Sequence, residues 1–281
     1  MTQAEFLSRY RSLSRGYAYH DCGNDVGLYR LPSFSACPGI DHGFTAKTGG
    51  VSKGPFASLN LSFTRPEQRE NVMENYRIFA NAAHIPWESM VMDSYEHGTT
   101  VRYVTRDDCG KGYLCDPLPA CDGLVTDVPG VTLITGHADC MAFFFYDPHQ
   151  NVIGLCHAGW RGALGRIGRE VVRVMQQHGS DPKDILAGVG PSICPRCFEV
   201  GDDVADAFEA AFPDCPLRST NAKGRATVDL WQVAMCQFLE AGVLPANISL
   251  MNVCTIEDER LFSYRRDGRT GGMAAYLRML P

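Results

Sequence analysis

No stretch of this chain approaches the ~20 consecutive apolar residues that a membrane-spanning helix needs. A helical membrane protein is therefore excluded from the readings that follow. A basic surplus is missing as well. Lys and Arg number 26 against 32 Asp and Glu, a formal net charge of −6, which argues against general nucleic-acid binding. The opening "MTQAEFLSRYRSLSRGY" lacks the apolar centre of a signal peptide, because Glu5 and Arg9 stand inside it, so no secretory signal is expected. Internal repeats, low-complexity tracts and a long linker are absent too. What remains is ordinary globular composition: 281 residues, 45% hydrophobic and 21% charged, ample for a proper core.

Cysteine, by contrast, is plentiful. In a small secreted chain 12 cysteines would mean a disulfide frame. Here the chain is large, and several cysteines lie within apolar runs (Cys156, Cys236, Cys254). They read as small, reduced core residues of a cytoplasmic protein.

Residues 1–25 read as a loosely attached extension and 26–281 as the catalytic domain. Val72, Tyr76, Phe79 and Ala83 recur at helical spacing between Pro66 and His84. "MAFFFYD" and "NVIGLCH" are short apolar strands, joined by "DPHQN" as a hairpin turn. "RGALGRIGREVVRVMQQHG" reads as one helix ending at Gly179, and "DLWQVAMCQFLEAGV" as a helix capped by Asp229. Helices and strands mix irregularly, with hairpins among them. That pattern predicts an α+β fold with a mixed or antiparallel sheet core.

Three residues stand out chemically. His97 in "EHGTT", Cys140 in "ADCMA" and His157 in "CHAGWRG" each sit at a strand edge beside small residues. Two imidazoles and a thiolate suit zinc, and three protein ligands leave a fourth position open, as in catalytic zinc sites. Cys140 and His157 alone, brought level by the hairpin, would equally suit a thiol nucleophile with its base. Cations form a second group: Lys47 in "TAKTGGVS", Arg161 in "HAGWRG", and Arg265 and Arg266 in "FSYRRDG". Glycine-rich loops beside a cation are natural anion sites, and Arg161 precedes an expected helix start, where the dipole also favours an anion. For Arg265 and Arg266, solvation or pairing with carboxylates accounts for the residues equally well. Asp122 and Asp139 would orient a ligand or cap turns. "CPRC", Cys194 to Cys197, has no second Cys-x-x-Cys at finger spacing and opens no helix, so the structural reading is preferred. Cys109, Cys115 and Cys121 receive no role.

With "CDGLVTD", "ADC", "HAGWRG", "GPSICPRCFEV" and "FSYRRDG" in this order, the chain resembles the laccase-domain (YfiH-like) family. Its members were long labelled multicopper polyphenol oxidases and later recognised as purine nucleoside phosphorylases. The resemblance implies a single-domain mixed β-sandwich flanked by helices. It implies zinc, with copper as the other candidate, on His97, Cys140 and His157. It also implies phosphorolysis of adenosine, inosine and methylthioadenosine, with adenosine deamination beside it. The partners would be small purine nucleosides and phosphate, with neither nucleic acid nor membrane. Phosphorolysis needs an anion site behind the ribose carbon, and Arg161 and Lys47 are assigned to it.

Several positions depart from the family pattern. "SYEHG" replaces "QVHG" and sets Glu96 beside a ligand, where it is a candidate proton carrier together with Asp139. Lys47 replaces an arginine and loses its bidentate fork. Ala142 replaces a proline, and Gly272 replaces an arginine. Three rival functions remain. A copper-dependent phenol oxidase needs many clustered histidines, whereas the chain has 8, only His97 and His157 lie in motifs, and no axial methionine is identifiable. A Cys140–His157 hydrolase acting on cell-wall peptide precursors is the second rival, and a non-catalytic metal-binding protein the third.

Overall fold

The structure, a computed structural model, describes residues 3–13 and 16–280. These residues build two six-stranded mixed sheets. One runs, in spatial order, Ala18–Asp21, Gly27–Arg30, Ile40–Thr45, Met273–Met279, Thr132–His137 and Met90–Met92. The other runs Ile248–Leu250, Leu186–Val189, Met141–Asp147, Val152–Ala158, Gly123–Thr126 and Val101–Tyr103.

The centre of the second sheet explains the layering. Met141–Asp147 and Val152–Ala158 are buried along their whole length, as a strand covered on both faces must be. Side chains alternate across a strand. Phe143 and Phe145 therefore enter one core with the helices Ile167–Gln177 and Leu230–Glu240. Phe144 and Tyr146 enter another, between the sheets, with Phe44, Leu133 and Leu277. A third core lies outside the first sheet, where Val72, Tyr76 and Phe79 of the helix Arg69–Ala82 meet Leu28, Ile134 and Tyr276. The result is a single-domain sandwich with helices on its outer faces, as expected.

The hairpin turn forms as the sequence predicts. The Asp147 carboxylate accepts the amides of His149 at 2.8 Å and Gln150 at 3.2 Å. Ala142 then pairs with His157 and Met141 with Ala158, so Cys140 and His157 emerge at the same end of adjacent strands.

The expected single helix after this hairpin is two. Trp160–Leu164 and Ile167–Gln177 are separated at Arg166, which adopts φ +65°. The break serves close packing. A Cβ added to Gly162 would lie 2.6 Å from the Gly98 carbonyl oxygen, and one on Gly165 2.7 Å from Thr99 Cγ2. Glycine lets the short helix press directly onto the backbone that follows His97.

Within residues 1–25, expected as a loose extension, the described residues 3–13 and 16–25 contribute structure of their own. The helix Gln3–Leu13 buries Phe6 and Tyr10 against Leu230–Glu240. Ala18–Asp21 pairs antiparallel with Gly27–Arg30. Asp229 joins the two helices: Oδ1 accepts the Gln232 amide at 2.9 Å, giving the expected cap, and Oδ2 accepts Tyr10 Oη at 2.7 Å and pairs with Arg11 at 2.5 Å. One cysteine assignment is corrected. Cys236 is bonded to Cys215 across a separation of 21 residues, because the turn after the helix Asp202–Ala211 brings Cys215 over the buried helix face. Among the described residues no helix is long and apolar enough to cross a membrane.

Asp229→Ala removes the cap and both contacts to the first helix. It is expected to cost about 1–3 kcal/mol of stability in denaturant titration, with limited proteolysis cutting before residue 18 ahead of any other site.

Candidate functional site

The site is organised by a carboxylate. Asp122 precedes the strand Gly123–Thr126 and is fully buried. Its Oδ1 accepts the His97 amide at 2.9 Å and His157 Nδ1 at 3.0 Å. Its Oδ2 accepts the amides of Glu96 at 3.2 Å and Gly98 at 2.9 Å, and its backbone carbonyl accepts the His157 amide at 2.7 Å. Burial alone would raise this carboxyl. The His157 ring and the backbone donors outweigh it and hold the group below the usual carboxylate range. Wrapping three successive amides around one carboxylate also sustains the left-handed conformation of His97, φ +65°. Because Asp122 takes the Nδ1 proton of His157, Nε2 is the nitrogen left for chemistry.

His97, Cys140 and His157 converge. Their donor atoms lie within 4.8 Å of one another, and the two imidazole rings stand edge to face with centroids 4.9 Å apart. His157 is buried, Cys140 half-buried and His97 exposed, so the site opens on the His97 side. Burial would raise the Cys140 thiol, yet the charge and hydrogen bond of His157, with His97 behind it, bring it down to about 6. Burial likewise opposes charge on His157, but Cys140 and Asp122 raise it to about 10. A thiolate–imidazolium pair of Cys140 and His157 is thus favoured. Gly159 completes the cradle: a Cβ there would lie 2.8 Å from His97 Cδ2 and 3.5 Å from Cys140 Sγ.

The other expected residues are distributed differently. Asp139, at φ +95°, does not face the triad. Its carboxylate accepts Thr255 Oγ1 at 2.5 Å and the Arg265 amide at 2.7 Å. Arg266 is structural, donating to the carbonyls of Thr255, Ile256 and Leu261 and pairing with Asp267. Arg265 donates to the Glu199 carbonyl. Arg161 is exposed, with its guanidinium carbon 4.1 Å from the Trp160 ring centroid, and among the described residues it has no carboxylate partner. It lies inside a helix of only 5 residues rather than before a long one, so a helix dipole contributes little there. Lys47 is half-buried at the other sheet, where its amide bonds the Arg260 carbonyl. Asp267 is held below the usual range first by Arg266, and Lys47 adds to the effect. Glu96 is exposed beside His97 and is not one of the converging donors. At Gly272 a Cβ would lie 2.7 Å from that of Ser62, so this backbone path leaves no room for an arginine.

Sequence reasoning missed three residues. His137 packs 5.5 Å from the His157 ring, but Thr135 and the Cys140 carbonyl occupy its two nitrogens, and burial keeps it neutral. Tyr95 lies over His157 with centroids 4.7 Å apart. Asp93 has a covered Oδ2 without a hydrogen-bond partner. Burial pushes its carboxyl up to about 8, with His157 pulling down and the Asp122 charge pushing up. Asp93 and Tyr95 line a cleft of about 580 Å³ together with Ser62, Thr64, Arg69 and Gly136. Their signal lay in "MDSYEHG", where two polar groups interrupt an apolar strand just before His97. The triad comes from the second sheet and its loops, whereas the cleft is walled by Met92, Ile134 and Gly136 of the first sheet with the loops and helix around them, and Tyr95 stands between the two.

A family model described as multi-copper polyphenol oxidoreductase laccase matches residues 41–280. The purine nucleoside phosphorylase YlmD of Bacillus subtilis is 37% identical over 243 residues, covering 84% of this chain and 87% of the relative. The purine nucleoside phosphorylase of Deinococcus radiodurans is 36% identical over 252 residues, covering 89% and 92%. The crystal structure of YlmD from Geobacillus stearothermophilus superposes with a TM-score of 0.86 at 36% identity, covering 90% of this chain and 96% of that one.

Asp122→Asn is expected to weaken metal binding about 10–100-fold in competition with a chromogenic chelator, because it removes the carboxylate that orients His157 and His97. Asp93 has a pH signature. Between its ordinary value of 3.8 and about 8, the native state keeps a proton that the unfolded chain has released, so stability falls as pH rises across that window. Asp93→Asn is expected to flatten this slope, raising the Tm at pH 8 while leaving it nearly unchanged at pH 4.

Proposed function

Because the chain belongs to the family described as multi-copper polyphenol oxidoreductase laccase, and relatives of similar length carry the name purine nucleoside phosphorylase, we propose that it is a zinc-dependent purine nucleoside phosphorylase. Its substrates would be adenosine, inosine and methylthioadenosine, with adenosine deamination as a second activity. The observation that carries this reading is the convergence of His97, Cys140 and His157 behind Tyr95, whose ring packs on both imidazoles and lines a cleft of about 580 Å³, a volume that suits a nucleoside.

The donor set fits zinc. One thiolate and two imidazoles, one of them oriented by a buried carboxylate, leave a coordination place open. Bound zinc would supply Lewis-acid polarisation of a reacting oxygen. The remaining roles fall to the chain's own side chains. Tyr95 would provide an aromatic wall for the base. Asp93, protonated at neutral pH, would hold a proton for the purine as negative charge develops on it during bond breaking. Arg161, without a competing carboxylate, would bind phosphate, with Lys47 in a supporting part that requires it to leave the field of Asp267. Glu96, exposed beside His97, would carry the proton in deamination.

One observation favours a second reading. The depressed thiol of Cys140 and the raised His157 also describe a nucleophile with its base, hence a cysteine hydrolase. The copper oxidase reading loses ground, because neither converging donor group among the described residues has more than two histidines, and the neighbouring His137 has both nitrogens engaged.

Purified protein given nucleoside and phosphate is expected to release purine and ribose 1-phosphate in equal amounts. Cys140→Ala should lose at least about 100-fold in kcat, and Arg161→Ala should raise KM for phosphate about tenfold. Full turnover by Cys140→Ala sinks the proposal. Activity that survives chelation but is lost on alkylation of Cys140 supports the hydrolase.

A further inference from the structure

The motif Cys194-Pro-Arg-Cys197 lacked a sequence partner of its own kind. The fold supplies one of a different kind, the turn Cys254-Thr-Ile-Glu257 with the same spacing. The Cys194 carbonyl accepts the amides of Cys197 and Phe198, both at 3.0 Å, and the Cys254 carbonyl accepts that of Asp258 at 2.9 Å. The two segments are stitched together by Ser192, whose amide donates to the Val253 carbonyl at 3.1 Å and whose carbonyl accepts the Thr255 amide at 3.1 Å. Their side chains consequently face one point. The three sulfurs and a Glu257 oxygen lie within 4.8 Å of one another.

We infer that Cys194, Cys197, Cys254 and Glu257 form a second metal site, holding a structural zinc ion apart from the His97, Cys140 and His157 triad. The inference is independent of the catalytic reading. A tetrahedral zinc with bonds of about 2.3 Å to sulfur and about 2.0 Å to oxygen has edges of roughly 3.8 Å between sulfurs and roughly 3.5 Å from sulfur to oxygen. Glu257 Oε1 already stands 3.7 Å from Cys194 Sγ and 3.8 Å from Cys197 Sγ. The Cys194 amide donates to Cys254 Sγ at 3.4 Å, a contact that stabilises a thiolate. Three sulfurs exclude magnesium and calcium, which take oxygen ligands. Four protein donors close the sphere, as structural zinc sites require. Arg196 contacts both Glu257 oxygens, at 2.8 and 2.9 Å, and offsets part of the negative charge. Cys194 and Cys254 are buried, Cys197 half-buried and Glu257 exposed. A small cleft of about 190 Å³ beside Arg196 and Glu257 gives an ion its way in.

The site has a purpose for its neighbour. Ile193 donates its amide to the Asp139 carbonyl at 2.9 Å, and Thr255 its hydroxyl to the Asp139 carboxylate. Both flank cysteines of this cluster, and Asp139 precedes Cys140. An ion here pins the two segments that hold Cys140 in place.

The test is the zinc content of the full chain purified from zinc-supplemented medium, measured on wild type and variants. Cys197→Ser is expected to hold about one equivalent less than wild type, and the Cys140→Ala, His157→Ala double variant to retain about one. Cobalt(II) exchanged into that double variant should give the sulfur-to-metal charge-transfer band of a multi-thiolate site, weakened by adding Cys197→Ser. Glu257→Ala, at an exposed position, is a second probe should Cys197→Ser not fold; zinc should leave it at least about tenfold faster under chelation. Unchanged zinc in Cys197→Ser overturns the inference. So does a disulfide among Cys194, Cys197 and Cys254 in the freshly purified chain. If the first site binds no metal, wild type holds about one equivalent and Cys197→Ser none, which upholds this site and removes the catalytic reading instead.

Discussion

A single buried carboxylate sets the geometry on which the site depends. Asp122 would be costly in an apolar interior if left unpaired, because a desolvated charge needs several donors. It collects amides from three successive residues and a ring nitrogen from a fourth. That one requirement bends the chain at His97, fixes the tautomer of His157 and ties the loop before Val101–Tyr103 to the strand Val152–Ala158. The glycines at 162 and 165 complete the constraint from the opposite side by admitting the Gly98 carbonyl and the Thr99 methyl group.

Electrostatics at the triad follows from the same arrangement. A buried thiol without a cationic neighbour resists ionisation, as Cys156 does, pushed well above its ordinary value by burial and then by the Asp122 charge. Cys140 is half-buried and has two imidazoles against it. The thiol of Cys140 goes down although burial would raise it, so the imidazole neighbours and not the depth decide the direction. His137 and His157 make the same point. Both are buried, yet only the one bonded to a carboxylate is favoured as a cation.

Much of this was legible in the sequence where local chemistry decides the outcome. The apolar runs 141–147 and 152–158 with Asp147 between them announce a hairpin, and the hairpin alone brings Cys140 level with His157. Asp229 before an apolar helix announces a cap. Long-range packing was not legible. Nothing local says that Gly162 and Gly165 break a helix to meet a loop more than sixty residues earlier in the chain, or that Asp139 turns away from the triad towards Thr255. For Arg266 the anion-site and pairing readings stayed level, because its three carbonyl partners are set by the folded turns and not by local sequence. Cys194 to Cys197 looked incomplete because its complement ends in glutamate and not cysteine. Asp93 and Tyr95 were passed over because a cleft wall is assembled from several strands and leaves no spacing of its own.

The seam between the sheets gives the architecture a further property. His97, Cys140 and His157 stand on or beside one sheet, while Met92, Ile134 and Gly136 of the cleft belong to the other, with Tyr95 between the two groups. Whatever fills that cleft while touching the donors becomes a clasp across two halves that otherwise meet through greasy side chains. Occupancy is then converted into heat resistance by mass action, and a simple melting curve becomes a gauge of saturation that works even for molecules the protein never transforms.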